Sequence, residues 1–264
     1  MESYDIIIEA GQSNAAGSGY GEVEKAYQPR DDVLYLTPEA SIEDIPGRGV
    51  VVEYLDMPPK ITVAEERHGK NGLLGDFSLT FAEDYIKSSL LGEGRKLLII
   101  RAAVGATGFN GGYWGVGKPL HEKMIEVTKY ALSLNPENRV VALLWHQGEH
   151  EAAMKTPLDD YKRYMKETIS DVRARLSLPH LPFIYGDFCG DWKTKNIDTT
   201  APVIATLKEA CEESGYSAFV SSEGLLSNRQ VNGGTDDIHF CRASLYELGH
   251  RYFDAYMSVL EKKA

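Results

Sequence analysis

Five residues scattered along the chain are of the types that together can transfer an acyl group: Ser13, Gly105, Gln147, Asp236 and His239. A serine hydroxyl is a weak nucleophile at neutral pH and needs a base within hydrogen-bond reach. Of the 7 histidines, His239 in "DDIHF" is best placed, because Asp236, three residues earlier, can fold back onto its imidazole. A carboxylate there fixes the tautomer and stabilises the imidazolium. The oxyanion formed on attack needs preorganised donors, and the N–H groups of Ser13 and Gly105 with the side-chain amide of Gln147 are the candidates. Taken alone, Ser13 reads more readily as a helix N-cap, a frequent role for serine after a strand, than as a nucleophile.

The elements that must position these residues alternate between short apolar runs and longer 3.6-periodic segments. Strands are expected at Asp5–Glu9, Val33–Leu36, Leu97–Ala102, Val140–Trp145, Pro182–Gly186 and Ala218–Ser221. Helices are expected at Leu79–Leu90, Leu120–Ser133, Leu158–Leu176, Ala201–Ser214 and Ala243–Leu260. Runs such as "LLIIR" and "RVVALLW" suit strands buried on both faces, as in a parallel sheet. The alternation predicts one domain over residues 1–264, a three-layer α/β/α sandwich on a mainly parallel sheet. In such sheets the ligand crevice lies at the carboxyl ends of the strands. "GQSN", "VGAT" and "HQGE" each follow a predicted strand there.

Two irregular regions interrupt the pattern. Residues 38–76 are rich in proline, glycine and charge, with an extra strand possible at Val50–Tyr54. Residues 104–118 hold six glycines and the aromatics Tyr113 and Trp114, which offer flat faces to a sugar or pack the loop onto the body. With Gln12, Asn14 and Glu149, these two are the candidate substrate contacts.

The net charge of -11, from 39 acidic and 28 basic residues, argues against a nucleic-acid or anionic-membrane partner, since both need clustered Lys/Arg. Cys189, Cys211 and Cys241 form no C-x-x-C pair and read as small buried hydrophobes in a reducing compartment. No basic, apolar leader or 18-residue apolar span stands out, so a cytoplasmic location is expected. "HQGEH" matches a zinc-peptidase pattern, but Gly148 interrupts it and a strand precedes it; no metal is expected. "GYWGVGKP" imitates a phosphate loop but has Pro119 where Ser or Thr belongs.

"GQSN", "VGAT", "WHQGE" and "DDIHF", in this order over residues 11–240, resemble the blocks of the SGNH (GDSL-like) hydrolase superfamily. The nearest branch is that of the sialate O-acetylesterase-like carbohydrate esterases, in which Gln replaces the usual oxyanion-hole Asn. The resemblance implies a flavodoxin-like sheet, Ser13 as nucleophile, Gly105 and Gln147 as oxyanion donors, and Asp236 and His239 completing a triad. It also implies hydrolysis of acetyl esters on sugars, without a cofactor; xylan fragments and acetylated sialic acids are among the possible substrates. One departure concerns Ala106: family members often read Gly-Gly-Thr where this chain has Gly105-Ala106-Thr107. Two other readings stay open: an SGNH esterase or lipase acting on non-carbohydrate esters, and a non-catalytic carbohydrate-binding protein on the same fold.

Overall fold

The structure, a computed structural model, describes residues 2–45 and 49–262. The first apolar run forms β1 (Ser3–Gly11), buried from Tyr4 onward, and passes into a single helical turn, α1 (Ser13–Ala16). β2 (Val33–Thr37) follows, then short strands: β3 (Ala40–Ile45) paired with β4 (Gly49–Tyr54), β5 (Lys60–Val63), and β6 (Arg67–Gly69) paired with β7 (Gly72–Leu74). Next come α2 (Phe77–Lys87), β8 (Arg95–Arg101), α3 (Pro119–Ser133), β9 (Arg139–His146), α4 (Glu149–Met154) and α5 (Leu158–Arg175). The chain ends with β10 (Phe183–Gly186), α6 (Gly190–Lys195), α7 (Ile197–Ser214), β11 (Ser217–Val220), α8 (Asn228–Asn232) and α9 (Arg242–Glu261).

The main sheet runs β11-β10-β9-β1-β8-β2-β5, parallel throughout except for β5, which is antiparallel to β2. Side chains alternate across it. Ile6 and Ile8 of β1 join a core built with Met124 of α3, Met165 and Ile169 of α5 and Leu207 of α7. Ile7 points the other way, into a core with Phe77 and Phe81 of α2 and Leu245 and Leu248 of α9. Both faces are therefore covered, which is why these strands read as unbroken apolar runs. Each such side chain contributes roughly 1.5–3 kcal/mol through its removal from water.

The extra strand expected at Val50–Tyr54 exists as β4, but it pairs with β3 outside the main sheet. The main sheet instead gains β5, which the sequence pattern did not announce. β3 is exposed over most of its length and β5 throughout, so no buried face imposes period-two alternation on them.

The connections diverge at β1. From it the chain reaches β2, returns to β8 at the side of β1, and then crosses to β9 on the other side. Such a switch point opens a crevice at the carboxyl end of the central strand. The turn that leaves β1 there is tight: Gly11 has φ +133°, and a Cβ on it would lie 2.1 Å from the His146 carbonyl oxygen. That same carbonyl accepts the Gln12 N–H at 3.0 Å. Gly11→Ala should therefore cost about 3–4 kcal/mol, through strain and a backbone clash in one place. Urea unfolding measures this; a cost below about 1 kcal/mol would mean that the turn does not depend on the missing side chain.

Candidate active site

The turn after β1 and the loop before α9 meet. His239 Nε2 lies 2.8 Å from Ser13 Oγ, and His239 Nδ1 lies 2.8 Å from Asp236 Oδ1. The second Asp236 oxygen accepts from Asn228 Nδ2 at 2.8 Å. Burial works against charge on Asp236, but the hydrogen bonds from His239 and Asn228 outweigh it and hold the carboxyl below its ordinary value. Asp237 turns away and pairs with Lys195 at 2.6 Å.

Asn228 was not singled out from the sequence, yet it organises this loop. Its side chain is fully buried and also bridges Ser18 O and Tyr20 N, while its own N–H donates to His239 O. It opens α8, whose start is set by a reciprocal cap between Ser227 and Gln230. That S-x-x-Q spacing was the available signal. Asp191 secures the same corner by accepting from Ser227 Oγ and both arms of Arg229.

The Ser13 turn is held from below. Arg101 donates to the Ala16 carbonyl, and Arg67 to the carbonyls of Ala16 and Gly17, so two guanidiniums take the free carbonyl end of α1. Arg101 also pairs with Asp76, which accepts from Tyr35 Oη and from the Ser78 N–H and Oγ. Burial opposes ionisation of Asp76, but Arg101 and these hydrogen bonds bring it down to about 2. Glu9, wholly enclosed on β1, goes the other way: burial and the charge on Asp76 push it well above the carboxylate range. The two buried carboxyls are thus shifted in opposite directions, as expected where both compete for the one guanidinium of Arg101.

Gly105 stands against Ser13, with a Cβ added to it falling 3.5 Å from Ser13 Cβ. Among the described residues, neither the Ser13 N–H nor the Gly105 N–H donates to a protein acceptor. Ala106 beside it has φ +58°, which explains why glycine suits this position.

Other sequence-level expectations move. Gln147 is fully buried, its amide donates to Glu151 Oε2, and its Oε1 has no partner. In this arrangement the Gln147 amide is turned toward Glu151 and has no exposed surface. Trp114 does not face substrate either. Its Nε1 donates to Thr107 Oγ1 at 3.1 Å and its ring meets Trp145 edge-on, because an indole gains more from the core than from water. Tyr113 is partly buried against that core. Gln12 is buried and accepts the His150 N–H; Asn14 and Glu149 are buried and bonded to each other at 3.0 Å. Three expected substrate contacts are thus internal struts.

Glu151 is a further residue missed from the sequence: it accepts the N–H groups of Phe109 and Asn110 and so ties the glycine-rich loop to α4. The two histidines of "HQGEH" do not share a helix face, since His146 ends β9 and His150 lies in α4. Burial brings His146 down to about 4, which keeps it neutral.

The family described as carbohydrate esterase, sialic acid-specific acetylesterase, matches residues 3–258. The chain belongs to this family. It is a carboxylic ester hydrolase that acts on O-acetyl esters of carbohydrates. The esterase shares its fold with NanS, at 18% identity and a TM-score of 0.76, over 99% of this chain and 98% of that one. A protein from Arabidopsis thaliana is similar at 19% identity and a TM-score of 0.70, over 98% of this chain and 99% of that one. XAC1771 from Xanthomonas citri, titled a carbohydrate acetylesterase, is similar at 16% identity and a TM-score of 0.60, over 98% of this chain and 56% of that one. No curated protein matches the chain. Among the described residues no helix is long and apolar enough to cross a membrane, and no group of three or more His, Cys, Asp or Glu is placed to hold a metal ion.

Two outcomes follow from this geometry. Ala106→Gly should stabilise the esterase by up to about 1 kcal/mol, the left-handed strain relieved exceeding the backbone entropy lost; chemical denaturation reads it, and a destabilised variant would contradict it. The pH dependence concerns Asp236. Its folded pKa lies below the unfolded value of about 3.9, so its stabilisation is present above that value and is lost as pH falls through the folded one. The stability gap between the wild type and Asp236→Asn should shrink as pH falls from about 5 to below about 4. A gap unchanged across that range would refute the assignment.

Proposed function

We propose that this carbohydrate O-acetylesterase works through an acetyl-enzyme on Ser13, with His239 as the general base and acid and Asp236 orienting the imidazole. The unbroken relay of two 2.8 Å contacts from Ser13 Oγ through His239 to Asp236 carries the reading. As Oγ attacks the acetyl carbonyl, His239 Nε2 takes its proton, and the carbonyl π pair becomes an oxyanion facing the N–H groups of Ser13 and Gly105. Collapse breaks the bond to the sugar oxygen, which leaves with the proton from His239. Water then gives a proton to His239 and attacks the acetyl-serine. Acetate departs, and the proton returns to Ser13 Oγ.

The openness of the site supports a small acyl group on a bulky alcohol. Ser13 is only partly covered, and the His239 side chain remains 25% exposed. A hollow of about 740 Å³, lined by Asp191, Lys195, Ser222 and Gln230 among others, neighbours the triad loop through the Lys195–Asp237 pair. Its polar rim suits sugar hydroxyls. The free, buried state of the three cysteines supports a reducing, cytoplasmic workplace.

Acetate release from a panel of acetylated sugars, with Ser13→Ala as control, tests this reading. Turnover should fall at least about 10³-fold in the variant, and a fluorophosphonate should modify Ser13 alone. Undiminished release by Ser13→Ala, or an adduct on another residue of the folded protein, would overturn it.

A further inference from the structure

We infer that Asn14 is a positioning residue that holds His239 against Ser13. The inference rests on the reading of Ser13 and His239 as nucleophile and base. Asn14 is wholly inaccessible, so no substrate can reach its side chain. Its amide is nevertheless fully engaged. Nδ2 donates to the Ile238 carbonyl at 3.1 Å and to Glu149 Oε1 at 3.0 Å, while Oδ1 accepts the Phe240 N–H at 3.1 Å. Ile238 and Phe240 are the two neighbours of His239. The residue next to the nucleophile thus grips the backbone on both sides of the base, across more than two hundred residues of chain.

This clamp acts on the catalytic distance directly. Asn14 belongs to the same helical turn as Ser13, so a shift of the loop that carries His239 must stretch bonds whose other end moves with Ser13. The Asn228 N–H adds a third point by donating to the His239 carbonyl at 2.9 Å. Asparagine has the chemistry the place requires, since one carbonyl accepts from an N–H while one NH₂ serves two acceptors. Glu149 sets the orientation of that amide: a carboxylate can face only the NH₂ end, which turns Oδ1 toward Phe240. Glu149 is itself enclosed, 3.7 Å from His146 Nε2, and burial pushes it up to about 7 against the opposing bond from Asn14. The Tyr252 hydroxyl donates to the Trp145 carbonyl, so His146 Nδ1 carries the hydrogen between ring and phenol, and Nε2 faces the glutamate bare.

The test compares kcat, KM and the rate of fluorophosphonate labelling in the wild type, Asn14→Asp, Asn14→Asp/Glu149→Gln, Asn14→Ala and Ser13→Ala. Asn14→Asp keeps the shape but removes both donated bonds and sets a carboxylate against Glu149. A drift of about 1 Å between reacting groups lowers rates about 10²-fold. That fall is expected in kcat and in labelling rate, with KM within about threefold, because ground-state binding is untouched. Glu149→Gln in the same chain replaces the repelling carboxylate with a donor and should restore about tenfold of the lost kcat. A residue that serves only to fold the protein would lower active fraction, leaving the kcat of the labelled fraction and its rescue unmoved. Should Asn14→Asp not fold, Asn14→Ala carries the same comparison without a buried charge. Wild-type kcat in the Asn14 variants, with Ser13→Ala inactive, overturns this inference alone; turnover by Ser13→Ala overturns the reaction it rests on as well.

Discussion

A hydroxyl on the first strand exit and an imidazole just before the last helix must stay 2.8 Å apart, although 226 residues separate them. Most of the architecture can be understood from that constraint. The hydroxyl is carried by the central strand, which has neighbours on both sides and buried residues on both faces. The imidazole is carried by a loop, and loops are the mobile parts of proteins. The loop is therefore tied at several backbone points: Arg229 N–H to Asp236 O, Asn228 N–H to His239 O, and Asn14 to the residues on either side of His239. The last helix then packs against α2 on one face of the sheet, with Phe77 stacked on Tyr252 at 4.5 Å. Fixing the loop costs conformational entropy, offset by these bonds forming where water is excluded.

Electrostatics serves the same end beneath Ser13. Two guanidiniums meet the free carbonyls of α1, and Asp76 balances Arg101 while Glu9 stays neutral. A second buried negative charge would have to share Arg101, 3.9 Å from Glu9, with Asp76, and burial with the Asp76 charge disfavours it. Asp236 is arranged differently: it is part-exposed, with its two oxygens committed to His239 and Asn228. The deep cluster holds position, while the shallow carboxylate orients a ring that is open to solvent.

The fold and the meeting of Ser13, His239 and Asp236 were legible in the sequence for separate reasons. Strands such as Arg95–Arg101 and Arg139–His146 are buried on two sides, so their apolar runs mark them without reference to anything else. Ser13, Asp236 and His239 were legible because acyl transfer requires those residue types, and their blocks fall at strand exits. β3 and β5 lie on the surface and left no pattern. Glu151 and Arg101 were invisible as site residues because their partners are main-chain groups or carboxylates distant in sequence, whereas Asn228 was marked only by the S-x-x-Q cap that opens its helix. No local spacing encodes a bond such as that between Glu151 and the Phe109 N–H.

The same reasoning explains why several polar residues at strand exits are turned inward. Loops built from glycine, such as residues 104–118, contribute N–H and C=O groups but few side chains to pair them. Buried backbone polar groups must nevertheless be satisfied. Neighbouring elements supply the partners: Glu151 for the glycine-rich loop, Asn14 for the His239 loop and Thr107 Oγ1 for the Val104 carbonyl. Gln147 is bound to Glu151 in this way, and Glu149 to Asn14. A crevice lined by flexible backbone thus demands a hidden layer of amides and carboxylates in proportion to its glycine content. A strand-exit polar residue is as much a candidate for that layer as for the reaction. What separates the two roles is accessibility: Ser13 and His239 can be reached from solvent, whereas Asn14, Gln147 and Glu149 cannot.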